Sequence, residues 1–79
     1  MEVKERVINV LSDKLGYYTT ELRGDMNLVN DLGADSLDLA EIIMGLEEEF
    51  GVKIDGSEFG DINTVNDLIE KVEKERRGW

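Results

Sequence analysis

Leu39, Ile42, Ile43, Leu46 and Phe50 fall on one side of a helix at about 100° per residue. Gly51 follows where a left-handed cap would end that helix. This stripe constrains the chain more than any other feature, because an element with one apolar face must bury it against a partner. Two further stripes supply partners. Val3, Val7, Ile8, Val10, Leu11 and Leu15 predict a first helix over about residues 2–15, closed by Gly16. Val65, Leu68, Ile69 and Val72 predict a last helix, with Thr64 before it and Asp67 three positions on. Lys71, Lys74, Arg76 and Arg77 gather toward its C-terminus, where positive charge suits the helix dipole.

Between the first two stripes, residues 16–35 hold three glycines and several Thr, Asn and Asp, without a sustained period. They read as one long loop, anchored to the core by Leu22, Met26, Leu28, Val29 and Leu32. A structureless connection of that length in a small domain is uncommon and often functional. Asp55-Gly56-Ser57-Glu58 reads as the start of a short helical turn reaching toward Ile62. No strand pattern, internal repeat, low-complexity run or linker competes. The expected fold is all-α: a small four-helix bundle, three longer helices and a short third one, with a long loop between helices one and two. A chain of 79 residues makes a single domain, 1–79, the expectation.

Formal net charge is −10. Such a surface repels nucleic-acid phosphate and anionic membrane, and draws in basic partners. No apolar run approaches the roughly 20 residues of a membrane span. Met1-Glu2-Val3-Lys4-Glu5-Arg6 turns charged at once, without the apolar core of a signal peptide. The absence of cysteine fits a reducing compartment. The expectation is a cytoplasmic protein with an intact start.

The acid is unevenly spread. From Gly24 to Val52 there are eight acidic residues (Asp25, Asp31, Asp35, Asp38, Glu41, Glu47, Glu48 and Glu49) and no Lys or Arg. Within this stretch Ser36 stands at the start of the second helix. Asp35 is a good cap there, and Asp38, three positions on, completes a capping-box-like pair. Serine at such a place is commonly a cap itself, but Asp35 leaves its hydroxyl less needed for that. A nucleophilic serine needs a base in reach. The chain has no His, and no Gly-x-Ser-x-Gly elbow surrounds Ser36. No Lys lies nearby in sequence, so only a folded contact from Lys14 or Lys53 could serve. Helix two also carries a second apolar line, Leu37, Ala40 and Met44, flanked by Glu41 and Glu48 with Glu47 at the edge. It reads as a docking surface or as isolated exposed apolar residues. No metal site emerges. A calcium loop opening at Asp31 puts Ile42 at its twelfth place, and one opening at Asp55 puts Phe59 fifth and Asn66 twelfth, where oxygen ligands are required.

Gly33-Ala34-Asp35-Ser36-Leu37, followed by Asp38 and Glu41, closely resembles the acyl carrier protein family. The resemblance covers nearly the whole chain: helix one, Asp31-Leu32-Gly33, helix two through Leu46-Glu47-Glu48-Glu49-Phe50, Ile54, and Thr64-Val65. It implies that Ser36 is the attachment point of 4′-phosphopantetheine, donated from coenzyme A by a separate pantetheinyl transferase. The arm's thiol would carry acyl groups as thioesters, which accounts for a chain without its own cysteine. The protein would catalyse nothing, acting in fatty-acid or related biosynthesis as a monomer. Asp35, Leu37, Asp38, Ala40, Glu41, Met44, Glu47 and Glu48 would form the docking face for acyl-handling enzymes with basic patches.

The resemblance also implies an acyl chain sheltered in the bundle. Leu28, Val29, Ile42, Ile43, Leu46, Phe50, Ile54, Phe59, Ile62, Leu68 and Val72 are the candidate lining, or simply core. The chain departs from the usual family pattern at Ala40, at Asp55 after Ile54, at Gly56 and Gly60, and at Tyr17-Tyr18 and Trp79. A specialised carrier of polyketide, lipid or aminoacyl cargo is therefore an alternative, as is a cofactor-free acidic interaction module.

Overall fold

Gly16 turns the chain out of its first helix in the left-handed region, at φ 80°, and its N–H closes on the Ser12 carbonyl. Gly51 does the same for the second helix at φ 66°, with its N–H on the Glu47 carbonyl. Both are positions where a side chain would clash with the backbone, so glycine ends the helix at little cost. The computed structural model describes residues 2–54 and 62–76. Within them are three α-helices, α1 (Val3–Leu15), α2 (Ser36–Phe50) and α3 (Val65–Arg76), and one short 3-10 turn (Thr19–Glu21). The described residues are all-helical, with one isolated antiparallel bridge, between Asn27 and Thr64. The short helix expected from Asp55 lies outside the described residues, so three helices and a 3-10 turn stand where four helices were expected.

The three stripes meet in one core. Val7, Val10 and Leu11 of α1, Ile42, Ile43, Leu46 and Phe50 of α2, and Val65, Leu68, Ile69 and Val72 of α3 are buried together. The interface of α1 with α2 is broad and that of α2 with α3 much narrower. Gly45 lies in the α1–α2 interface. A Cβ added there would stand 3.0 Å from Val10 Cγ1 and from Lys14 Cε. Glycine inside a helix costs about 1 kcal/mol against alanine. Here it lets the two backbones approach closely.

Residues 16–35 are better organised than an aperiodic loop. The Asn27 side-chain oxygen accepts the N–H groups of Val29 (2.9 Å) and Asn30 (2.8 Å). Asp31 returns its carboxylate to the Asn27 N–H at 2.7 Å. Ala34 donates its N–H to the Leu28 carbonyl, and Gly33 donates to Val29 at φ 71°. Leu28 N–H to Asn63 and Val65 N–H to Met26 then clip this turn to the start of α3. Leu22, Leu28 and Leu32 anchor the segment as expected, and Met26 packs against the core. Val29 does not: it is 54% exposed, because the Asn27 turn points it away from the bundle. That corrects its assignment as both an anchor and a lining residue.

The start of α3 is closed by a reciprocal cap. The Asp67 carboxylate accepts the N–H groups of Asn63 (2.8 Å) and Thr64 (3.0 Å), while the Thr64 hydroxyl oxygen accepts the Asp67 N–H (3.2 Å). Hydrogen bonds from the Asn63 and then the Thr64 backbone hold this carboxyl below the usual range, against a weaker opposing effect of burial. A depressed folded value means the stabilisation is complete above the unfolded-state value, near pH 4, and is lost as pH falls through the folded value. Asp67→Asn is therefore expected to lower the melting temperature at neutral pH. The gap should close as acid protonates the wild-type carboxyl. Parallel melting curves down to pH 2–3 would contradict this assignment.

Candidate functional site at the start of the second helix

Gly33 and Ala34 bring the chain to α2 with almost no side-chain bulk, and Ala34 itself is buried. Asp35 then caps the helix. Its carboxylate accepts the Asp38 N–H at 2.9 Å, and Asp38 accepts the Asp35 N–H at 3.2 Å. With both groups engaged in capping, Ser36 is free of that task. Ser36 is exposed as the first residue of α2, and its hydroxyl has no hydrogen-bond partner among the described residues. Neither Lys14 nor Lys53 makes a hydrogen bond to it. Among the described residues the arrangement offers an accessible hydroxyl with no base hydrogen-bonded to it, which suits modification by an outside catalyst.

The second line of α2 is exposed as the sequence implied. Leu37 is 67% and Met44 59% exposed, with Ala40 half-buried between them. The carboxylates around it divide into three kinds. Asp35 and Asp38 are each other's cap. Glu47 is half-buried, and its carboxylate accepts the Ile54 N–H at 2.8 Å, so it ties down the turn after α2. Glu41 and Glu48 are exposed and make no hydrogen bond or ion pair among the described residues. Those two are the carboxylates left to meet a cation from outside.

Of the eleven lining candidates, Leu28, Ile42, Ile43, Leu46, Phe50, Ile54, Leu68 and Val72 are buried, and Ile62 packs against them. Phe59 lies outside the described residues. Leu39, Ile42, Ile43, Ile62 and Leu68 surround a void of about 10 Å³ between α2 and α3. That is room for roughly one water. A wider groove of about 420 Å³ lies between α1 and α2, where Gly45 leaves space beside Asn9, Asp13, Lys14 and Glu48. Its walls mix Val10 and Gly45 with charged and polar side chains, so it is less apolar than the α2–α3 void. The sequence reading missed Asn27 as organiser of the loop ahead of Ser36. Asn27, Asp31 and Gly33 in that order were the available signal, since Asn side chains nucleate turns and glycine closes them.

The family model described as "Phosphopantetheine attachment site" matches residues 5–72. The chain belongs to the acyl carrier protein family. It is 41% identical over 73 residues to the acyl carrier protein of Thermotoga maritima, covering 92% of this chain and 90% of the relative. With that of Solidesulfovibrio magneticus it shares 46% over 76 residues, 96% of this chain and 97% of the other. With that of Nitratidesulfovibrio vulgaris (strain DP4) it shares 47% over 72 residues, 91% and 95% respectively. As a family member it bears acyl intermediates on phosphopantetheine and hands them to other enzymes, a carrier and not a catalyst. Membership favours the carrier over the cofactor-free module. No helix among the described residues is long and apolar enough to cross a membrane.

Proposed function

We propose that Ser36 is the residue that holds the 4′-phosphopantetheine arm. The observation that carries this is an exposed, unpartnered hydroxyl at the first position of α2, approached through Gly33 and Ala34, with capping delegated to Asp35. The site fits the group. Nothing bulky precedes the hydroxyl, and the first-turn amides of α2 lack helical acceptors. In the transfer, the Ser36 oxygen forms a bond to the pantetheine-bearing phosphorus of coenzyme A. The bond to the adenosine-side phosphate oxygen breaks, and the serine proton passes to a base of the transferase. When bound, the arm supplies a thiol that holds acyl groups as thioesters. Tethering raises the effective concentration of that cargo at each partner enzyme. The test is incubation with coenzyme A and a broad-specificity pantetheinyl transferase. One arm should appear in the intact mass and map to the peptide containing Ser36. An arm mapped elsewhere, or no addition where a control carrier is loaded, would end the proposal.

The docking face is read as Leu37, Ala40 and Met44 with Glu41 and Glu48 as its working charges, and Asp35 and Asp38 at its upper edge. Partners are the pantetheinyl transferase and acyl-handling enzymes with basic patches, met by a monomeric carrier. Rim charges act mostly on association rate and salt dependence. The double variant Glu41→Lys, Glu48→Lys should raise the transferase KM by about tenfold at low salt, with the gap narrowing as salt screens the charges. A KM unchanged at low salt would remove these two residues from the interface.

We read the fold as a four-helix bundle in a single domain, and the compartment as the cytoplasm. For cargo we favour fatty-acyl intermediates, because the α2–α3 void is lined by apolar side chains alone. A methylene group takes up about as much room as a water, so sheltering more than the first of them requires α2 and α3 to part. The narrowness of that interface supports parting there rather than between α1 and α2.

A further inference from the structure

Tyr17 has no place in the docking face or the interior lining, yet it reaches the segment that carries Ser36. Gly16 turns the chain at the end of α1, and the Ser12 hydroxyl donates to the Tyr17 carbonyl, so the Tyr17 backbone is held against the last turn of the helix. From there its ring packs on the core and its hydroxyl donates to the Leu32 carbonyl at 3.1 Å. The same peptide unit is held at its other end, because the Gly33 N–H donates to the Val29 carbonyl at 3.0 Å. Both polar groups of the 32–33 peptide are therefore occupied. This matters because Gly33 sits at φ 71°, and glycine populates positive and negative φ about equally. A peptide flanked by glycine can rotate cheaply unless its N–H and C=O are both tied. Rotation here would strain the Ala34 N–H bond to the Leu28 carbonyl (2.9 Å), the last tie before Asp35 and Ser36.

We infer that Tyr17 is a positioning residue for arm transfer: its hydroxyl holds the 32–33 peptide in the one orientation that presents Ser36 to the transferase. This rests on the Ser36 reading above, in which the serine oxygen gains the phosphorus bond and the adenosine-side phosphate leaves. Tyr17→Phe keeps the ring and removes only the clasp. A hydrogen bond of this kind is worth roughly a two- to tenfold change in population. If the displaced orientation interconverts before docking, the competent fraction falls and the apparent affinity falls with it. The wild-type chain is mostly in the competent orientation, so a population change of that size raises the transferase KM by up to about twofold, while kcat at saturation holds.

The second measurement is amide hydrogen exchange on the unmodified protein. Gly33 and Ala34 should exchange several-fold faster in Tyr17→Phe, with the interior amides of α1 and α3 unchanged. An unaltered KM overturns the inference. So does a KM rise accompanied by equal acceleration of exchange throughout α1 and α3, which is general loosening. A wild-type chain that takes no arm brings down the Ser36 reading and this inference with it. A wild-type chain that loads normally, beside a Tyr17→Phe chain with the same KM, brings down the inference alone.

Discussion

Ser36→Ala is expected to abolish arm addition completely while leaving the fold in place. The loss is total because, among the described residues, no other hydroxyl stands at the first position of an α-helix. Ser12 donates its hydroxyl to the Tyr17 carbonyl within the last turn of α1. Thr64 is committed to the α3 cap. The fold survives because the substitution removes nothing the helix uses. Capping belongs to Asp35, whose carboxylate takes the Asp38 N–H. Alanine's propensity advantage over serine belongs to helix interiors and does not carry to this first position. The melting temperature should stay close to that of the wild type. Intact mass after transferase treatment gives the first result and a thermal melt gives the second. Residual loading of Ser36→Ala would mean that another side chain accepts the arm. A large fall in melting temperature would mean that the hydroxyl has a structural duty absent from the hydrogen bonds of the described residues. Ser57→Ala should load like wild type.

The stripes and caps of α1, α2 and α3 were legible because each is a local pattern. Gly16 and Gly51 stop helices for reasons carried by one residue, and Asp35 with Asp38 or Thr64 with Asp67 are pairs three apart. The exposed Leu37 and Met44 follow from the same angular count that buries Ile42 and Leu46. What was illegible depends on partners distant in sequence. Val29 looks like an anchor when counted among apolar residues, but the Asn27 side chain turns it outward. Glu47 looks like another docking carboxylate until the chain returns Ile54 to it. Gly45 looks like a weak point in α2 until Val10 and Lys14 of α1 are placed against it. Tyr17 carries no periodic signal at all, and its reach to Leu32 exists only once α1 and the loop are folded together.

Arg6 belongs to the same class of long-range partner, and Arg6→Ala is expected to cost about 2–3 kcal/mol of stability. The physical need arises at the C-terminus of α2. That end carries the negative pole of the helix and three consecutive acids, Glu47, Glu48 and Glu49, with no basic residue in the last turn. The missing cation comes from α1. Arg6 donates to the Glu49 carbonyl at 2.6 Å and to its carboxylate at 3.3 Å, and its guanidinium lies 4.5 Å from the centre of the Phe50 ring. A charged donor on a helix-end carbonyl contributes about 1.5–3 kcal/mol, and the ring contact adds roughly 0.5–1 at a partly exposed site. The pairing with the Glu49 carboxylate adds little, since that group is 40% exposed and screened. For a domain of this size the melting temperature should drop by about 10 °C or more.

Arg6→Lys should recover only part, because an ammonium has neither the planar fork nor the stacking face. The partition is checked by repeating Arg6→Ala in a Glu49→Gln background. If the carbonyl and the ring carry the effect, the loss in that background stays within about 0.5 kcal/mol of the original, the usual limit for weakly coupled sites. A loss that largely disappears there would place the stabilisation in the ion pair. The α2 C-terminus would then be held by screened charge, and its stability should fall steeply with added salt.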